Sequence, residues 1–237
     1  MTAPLPVKAA FVLIFQALLA WHAIAQENLP ALVKKIKPAV ITIITYDAGG
    51  KPKGQGSGFF ISETGQFITT CHVLAGASHI EVKTYDGQRY TVNAAVVEEP
   101  LWDLALAAIQ PPGKGISNLT LFDGIPHVGE CVLIAGSPVG HEHTVNEGIV
   151  SAIRNISGFG KILELSAPIS PGSSGGPVVN LKGDVVGIAM LQLMHNPNIG
   201  FAIPGNRALA LQQRESNKPA ASPAMGKDFL MTRPPRP

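Results

Sequence analysis

Apolar residues in this chain come in short runs, separated at close intervals by glycine, proline and Asp-Gly pairs. Residues 40 to 45 are β-branched throughout and predict a strand. A stretch rich in Gly and Lys, Asp47 to Gly56, reads as a loop. Phe59 to Ser62 and Gln66 to Cys71 read as two strands around Glu63-Thr64-Gly65. His79 to Tyr85 alternates apolar and polar positions, Asp86-Gly87 is a hairpin turn, and Arg89 to Val97 is the returning strand. Leu101 to Ile109 completes this half. After Pro111-Pro112-Gly113-Lys114-Gly115 the pattern repeats in Asn118 to Phe122, Glu130 to Ala135, Thr144 to Ile153, Ile162 to Ala167, Pro177 to Asn180, Val185 to Leu193 and Gly200 to Ile203. Helical spacing occurs at Leu29 to Lys37, stopped by Pro38, and at Asn206 to Gln213. So many short strands between turn residues predict an all-β protein built of barrels, with a short C-terminal helix.

The ends of the chain follow a different pattern. Lys8 precedes an apolar run from Ala9 to Ala20 broken only by Gln16, and Ala23-Ile24-Ala25 has the small-x-small form of a cleavage site. The run is shorter than the roughly 20 residues that span a bilayer. Residues 1–25 therefore read as a signal peptide, giving an exported protein, periplasmic or secreted, with no stable membrane insertion after cleavage. An uncleaved anchor is the alternative. The expected organisation is then 26–110 for the N-terminal segment and first barrel, 111–117 for a linker, 118–213 for the second barrel and terminal helix, and 214–237 for a disordered Pro-rich tail.

Composition narrows the function classes. Hydrophobic residues make up 46% and charged residues only 14% of the 237, which suits a buried core rather than a disordered chain. The net charge of +2 is small, and Lys and Arg are scattered without interleaved aromatics, so nucleic acid is not an expected partner. Cys71 and Cys131 are expected to stay unpaired, because a bridge would tie the His72 segment to a strand of the other barrel.

One stretch calls for chemistry. In Pro171-Gly172-Ser173-Ser174-Gly175-Gly176-Pro177, glycines permit backbone angles that aim N–H groups inward, as an oxyanion requires, and leave a serine reachable. Ser174 is the candidate nucleophile, with the backbone N–H groups of Gly172 and Ser174 as the oxyanion hole; a plain Gly/Ser loop is the competing reading. A serine needs a base and the base an orienting carboxylate. His72 and Asp103 each stand alone in an apolar run. Singly they read as a core histidine and a turn residue; together with Ser174 they give the order His, Asp, Ser of the chymotrypsin arrangement. His141-Glu142-His143 is half a metal site with no third ligand near in sequence, and reads as a solvated loop. Neither a metal nor a cofactor is called for.

Residues 54–75, Asp103-Leu-Ala-Leu, Ala135-Gly-Ser-Pro-Val-Gly140, Gly148-Ile-Val-Ser151, the Ser174 loop and Gly200-Phe-Ala-Ile-Pro204 together resemble the protease domain of the HtrA/Deg family. The resemblance runs from about Leu29 to Pro204. It implies a chymotrypsin-like double β-barrel, with His72 as base, Asp103 as its orienter and Ser174 as nucleophile. It also implies a serine endopeptidase that cleaves misfolded or exposed polypeptide through an acyl-enzyme, and a possible homotrimer. A non-cleaving chaperone or peptide-binding module on the same fold is the alternative. Cys71 departs from the asparagine usual in the family. The 33 residues after Pro204 are too few for the PDZ domains many relatives carry, so recognition is expected from the protease domain or a partner. By the same resemblance Pro168, Ile188, Ala189 and Met190 would form the substrate pocket. Pro168 offers no carboxylate to receive Arg or Lys, so a small or medium aliphatic residue before the scissile bond is expected.

Overall fold

A computed structural model describes residues 29–92, 96–110, 115–138, 142–193 and 196–217. The expected signal peptide, most of the expected tail, His141 and the Pro-Pro-Gly-Lys stretch at 111–114 lie outside the described residues. A helix over 29–36 (α1) leads into β1 (Val40–Tyr46), β2 (Pro52–Phe60) and β3 (Gln66–Thr70). A single helical turn, α2 (Cys71–Leu74), is followed by β4 (His79–Lys83), β5 (Arg89–Thr91), β6 (Val97–Glu99) and β7 (Leu104–Ala108). The second half contains β8 (Thr120–Leu121), β9 (Cys131–Gly136), β10 (Thr144–Ile156), β11 (Gly160–Leu165), β12 (Pro177–Asn180), β13 (Asp184–Leu193), β14 (Asn196–Pro204) and the terminal helix α3 (Gly205–Ser216).

The first sheet runs β5-β4-β1-β2-β3-β7-β6. The second runs β12-β9-β10-β11-β14-β13, and pairing of β12 with β13 closes it into a six-stranded barrel, with β8 added in parallel on β13. The fold is thus all-β and chymotrypsin-like, one closed barrel beside a half-barrel.

Why so many runs are apolar on consecutive positions follows from the strand period of two. Leu104 and Leu106 of β7 face a core shared by the two sheets, while Ala105 and Ala107 face the inside of the first. On β9, Leu133 and Ala135 enter the shared core, and Val132 and Ile134 fill the second barrel. Phe59 and Phe60 divide in the same way. Both faces of these strands are buried. Fully burying one such side chain stabilises by roughly 1.5–3 kcal/mol, so the shared core fixes the barrels against each other. Ala208 and Leu211 of α3 dock into that same core.

Several elements differ from the pattern read in the sequence. The Gly- and Lys-rich stretch is mostly strand: β2 begins at Pro52, leaving only a short loop whose Asp47 Oδ1 accepts the N–H groups of Gly49 and Lys51, each at 2.9 Å. Glycine is required there by close approach, since a Cβ at Gly56 would lie 2.5 Å from the Val73 methyls and one at Gly58 2.8 Å from the Ile68 carbonyl oxygen. The return from the Asp86-Gly87 hairpin is two short strands, β5 and β6, rather than one. The terminal helix extends to Ser216, into the stretch expected to be disordered. Beyond 111–114, the chain packs back on the first sheet, with the N–H of Leu119 donating to Phe60 O at 2.9 Å.

Candidate active site

The glycine-rich loop is two successive turns. Ser173 N–H donates to Ser170 O at 2.9 Å with Gly172 at φ +93°, and Gly176 N–H donates to Ser173 O at 3.0 Å with Gly175 at φ +86°. A positive φ at the third residue makes both type II, with Pro171 and Ser174 in the second positions. Ser174 O accepts Ser57 N–H of β2 at 2.8 Å, and Gly175 N–H donates to Ala189 O of β13 at 2.7 Å. Among the described residues, the N–H groups of Gly172 and Ser174 have no hydrogen-bond partner. Two neighbouring free donors beside a half-exposed serine are the chemistry an oxyanion needs.

His72 lies on α2, directly after β3, and Asp103 directly before β7; the pairing of these two strands brings the residues together. Asp103 holds the histidine at two points: Oδ1 accepts His72 N–H at 2.9 Å and Oδ2 lies 2.5 Å from Nδ1. Asp103 O also accepts Cys71 N–H at 3.1 Å. A carboxylate can only accept, so Nδ1 carries the proton and Nε2 is left as the basic nitrogen. Asp103 has φ +53°, a left-handed conformation that few non-glycine residues adopt. The preceding residue secures it. Trp102 is buried, its ring 4.7 Å from that of Phe159 on the second barrel and covered by the Arg207 guanidinium of α3 at 3.9 Å. Arg214 of α3 pairs with Glu99 on the same segment. The Ser174 hydroxyl donates to Met190 O at 2.8 Å and makes no hydrogen bond with His72.

Comparison with known proteins identifies the family. A family model of the trypsin-like peptidase domain matches residues 56–188. The chain belongs to this family, in its HtrA branch. It is 36% identical over 167 residues to the putative serine protease HhoA of Synechocystis, covering 67% of this chain and 42% of that protein. It is 35% identical over 199 residues to a probable periplasmic DegP-like serine endoprotease of Ectopseudomonas mendocina, covering 79% and 41%. The chain thus spans about two fifths of these curated relatives. Among solved structures it superposes on the serine endoprotease from Yersinia pestis with a TM-score of 0.67 and 32% identity, covering 78% of this chain and 64% of that one. It superposes on an HtrA-type protease, AlgW, solved with a tripeptide, with a TM-score of 0.68 and 32% identity, covering 79% and 63%.

The four residues considered for the pocket of this HtrA-type domain fall in different places. Pro168 is exposed, ahead of a buried Ile169. Ile188 is fully buried in the shared core and Ala189 in the core of the second barrel, so Ala189 meets the loop through its backbone: its O accepts Gly175 N–H and its N–H donates to Gly176 O. Met190 is half-buried, with its carbonyl at the Ser174 hydroxyl. Cys71, beside His72, donates its S–H to Leu104 O at 2.9 Å; burial, helped by the negative charges of Glu98 and Asp103, pushes the thiol up to about 12. Cys71 and Cys131 are both free.

The stretch read as a solvated loop is in part docked on the first sheet. Glu142 pairs with Lys83 at 2.7 Å, and the His143 ring meets Tyr85 edge-on at 5.0 Å. Two groups escape sequence reading altogether: the Trp102–Phe159–Arg207 stack and Ser57. The only local hint of the second is a serine between two glycines in a segment that folds as buried strand.

Proposed function

We propose that this HtrA-type domain is an exported serine endopeptidase acting through Ser174, His72 and Asp103. The observation that carries the reading is the pair of free N–H groups at Gly172 and Ser174 in a domain where Asp103 holds His72 at two points. In the proposed reaction the Ser174 hydroxyl leaves the Met190 carbonyl, Oγ bonds to the scissile carbonyl carbon, and His72 Nε2 takes the hydroxyl proton. The carbonyl π electrons move to oxygen, where the Gly172 and Ser174 N–H groups stabilise the charge. Asp103 stabilises the imidazolium through Nδ1–H. The C–N bond then breaks as Nε2 returns its proton to the leaving amine, and water, deprotonated by the same nitrogen, cleaves the acyl-enzyme.

Substrates are exposed or misfolded polypeptide segments, which can lie extended along β13. A small or medium aliphatic residue before the scissile bond suits a site where Pro168 offers no carboxylate to receive Arg or Lys. Residues 1–25 supply the export signal. The test is labelling with a fluorophosphonate, which phosphonylates activated serines as fluoride leaves. Wild-type protein should label one-to-one at Ser174, and Ser174→Ala and His72→Ala should lose both labelling and casein cleavage. Cleavage that persists in Ser174→Ala would overturn the reading. A wild type that binds unfolded casein without labelling would instead favour the non-cleaving module.

A further inference from the structure

Ser57 lies in the middle of β2, on the first sheet, yet most of its polar atoms serve the second barrel. It is fully buried. Its Oγ donates to Gly172 O at 2.6 Å and accepts Ser137 N–H at 2.7 Å; its N–H donates to Ser174 O at 2.8 Å; its O accepts the Thr69 hydroxyl at 2.7 Å. The hydroxyl has one proton to give and gives it to the loop.

The consequence appears when the loop is taken one peptide plane at a time. The Gly172–Ser173 plane is held at both ends, C=O by Ser57 Oγ and N–H by Ser170 O. The Ser174–Gly175 plane is also held at both ends, C=O by Ser57 N–H and N–H by Ala189 O. The Pro171–Gly172 and Ser173–Ser174 planes, which alternate with these, carry the two free N–H groups. A type II turn differs from type I chiefly in the rotation of its central peptide, here Pro171–Gly172. That rotation leaves the neighbouring planes in place, so what the held planes fix is the Cα atoms of Gly172, Ser173 and Ser174, and with them where the two N–H groups sit.

Resting on the reading of the site given above, we infer that the Ser57 hydroxyl is a positioning residue for the oxyanion donors, holding the backbone that carries them in place from the opposite barrel. Replacing Ser57 by Ala leaves Gly172 O without its donor and the buried Ser137 N–H without its acceptor, and frees one end of the Gly172–Ser173 plane. The loss should resemble that of an oxyanion donor, about 10²-fold in kcat. KM should stay within about threefold, because substrate in its ground state makes little use of the hole.

The experiment uses the full chain with a peptide substrate and the matching peptide aldehyde. The aldehyde bonds to Ser174 Oγ and leaves an oxyanion where the donors point, so its affinity should fall in Ser57→Ala in step with kcat. Gln55→Ala is the control: Gln55 Nε2 bonds Ser137 O at 2.9 Å, crossing the same barrel interface without touching Gly172. It should lower Tm while kcat and aldehyde affinity stay within about threefold. If Ser57→Ala does not fold, Ser57→Cys replaces it, since a thiol is a weak donor and most of the kcat loss should remain. Wild-type kcat and aldehyde affinity in the folded Ser57 variant would overturn the inference, as would a rise in KM alone or an equal kcat loss in Gln55→Ala. A wild-type protein that neither labels at Ser174 nor cleaves would overturn the underlying reading instead.

Discussion

Replacing Gly175 by alanine strikes the loop where it is tightest. A Cβ there would stand 2.2 Å from the Ser57 carbonyl oxygen and 2.5 Å from Thr69 Oγ1. Neither neighbour yields cheaply, because Ser57 and Thr69 are fully buried and bonded to each other. Positive φ costs an alanine about 1–2 kcal/mol, and forcing a methyl into a packed site adds about 1–3 kcal/mol. Together these approach the lower end of a domain's whole stability, about 5 kcal/mol. Gly158 separates the two contributions. It has φ +77° and open space around its Cβ position, so Gly158→Ala carries the backbone part alone. At roughly 2–4 °C per kcal/mol for a chain of this size, calorimetry should give Gly158→Ala a Tm lower by a few degrees and Gly175→Ala a fall clearly larger. Fluorophosphonate labelling should survive in Gly158→Ala. It should collapse in Gly175→Ala, since the loop can relieve the overlap only by lifting away from Ser57 and Ala189. Equal Tm values for the two variants, with wild-type labelling in both, would refute the reasoning.

The two thiols should react at very different rates. With Cys71 pushed up to about 12, only on the order of one in ten thousand of its thiols is ionised at pH 8. Iodoacetamide should therefore add quickly once, at exposed Cys131, and a second time only on unfolding, as read by mass spectrometry; two rapid additions would contradict the buried S–H···O bond at Cys71. Protonation of His143 should cost stability. Burial lowers its affinity for a proton, with Lys37 and Lys83 acting in the same direction against Glu142. The unfolded chain then binds more protons, so this contribution is level above about pH 6.5 and is lost as pH falls below it. Denaturation midpoints at pH 7.5 and 5.5 should differ less in His143→Asn, which tolerates the φ of +55° there, than in wild type; an unchanged difference would sink the assignment.

What the sequence made legible is what depends on neighbours within a few residues. Pro171-Gly172 and Ser174-Gly175 each place glycine where a type II turn demands positive φ, and Asp86-Gly87 announces its hairpin in the same way. Continuous apolar runs revealed the strands but not their two destinations. Ile188 and Ala189 read as one pocket wall, whereas the period of two sends one into the shared core and the other into the second barrel. The first half of β2 read as a loop because glycine in a strand is explained only by what crosses it, here Val73 over Gly56. Asp103 in a left-handed conformation is held through Trp102 by partners in the β10–β11 turn and in α3. Ser57 is the extreme case, its hydroxyl bonded to residues 80 and 115 positions away. Local chemistry is enough to build a reachable serine on a tight turn; holding the backbone around it in place takes a hydroxyl that only the packing of two barrels delivers.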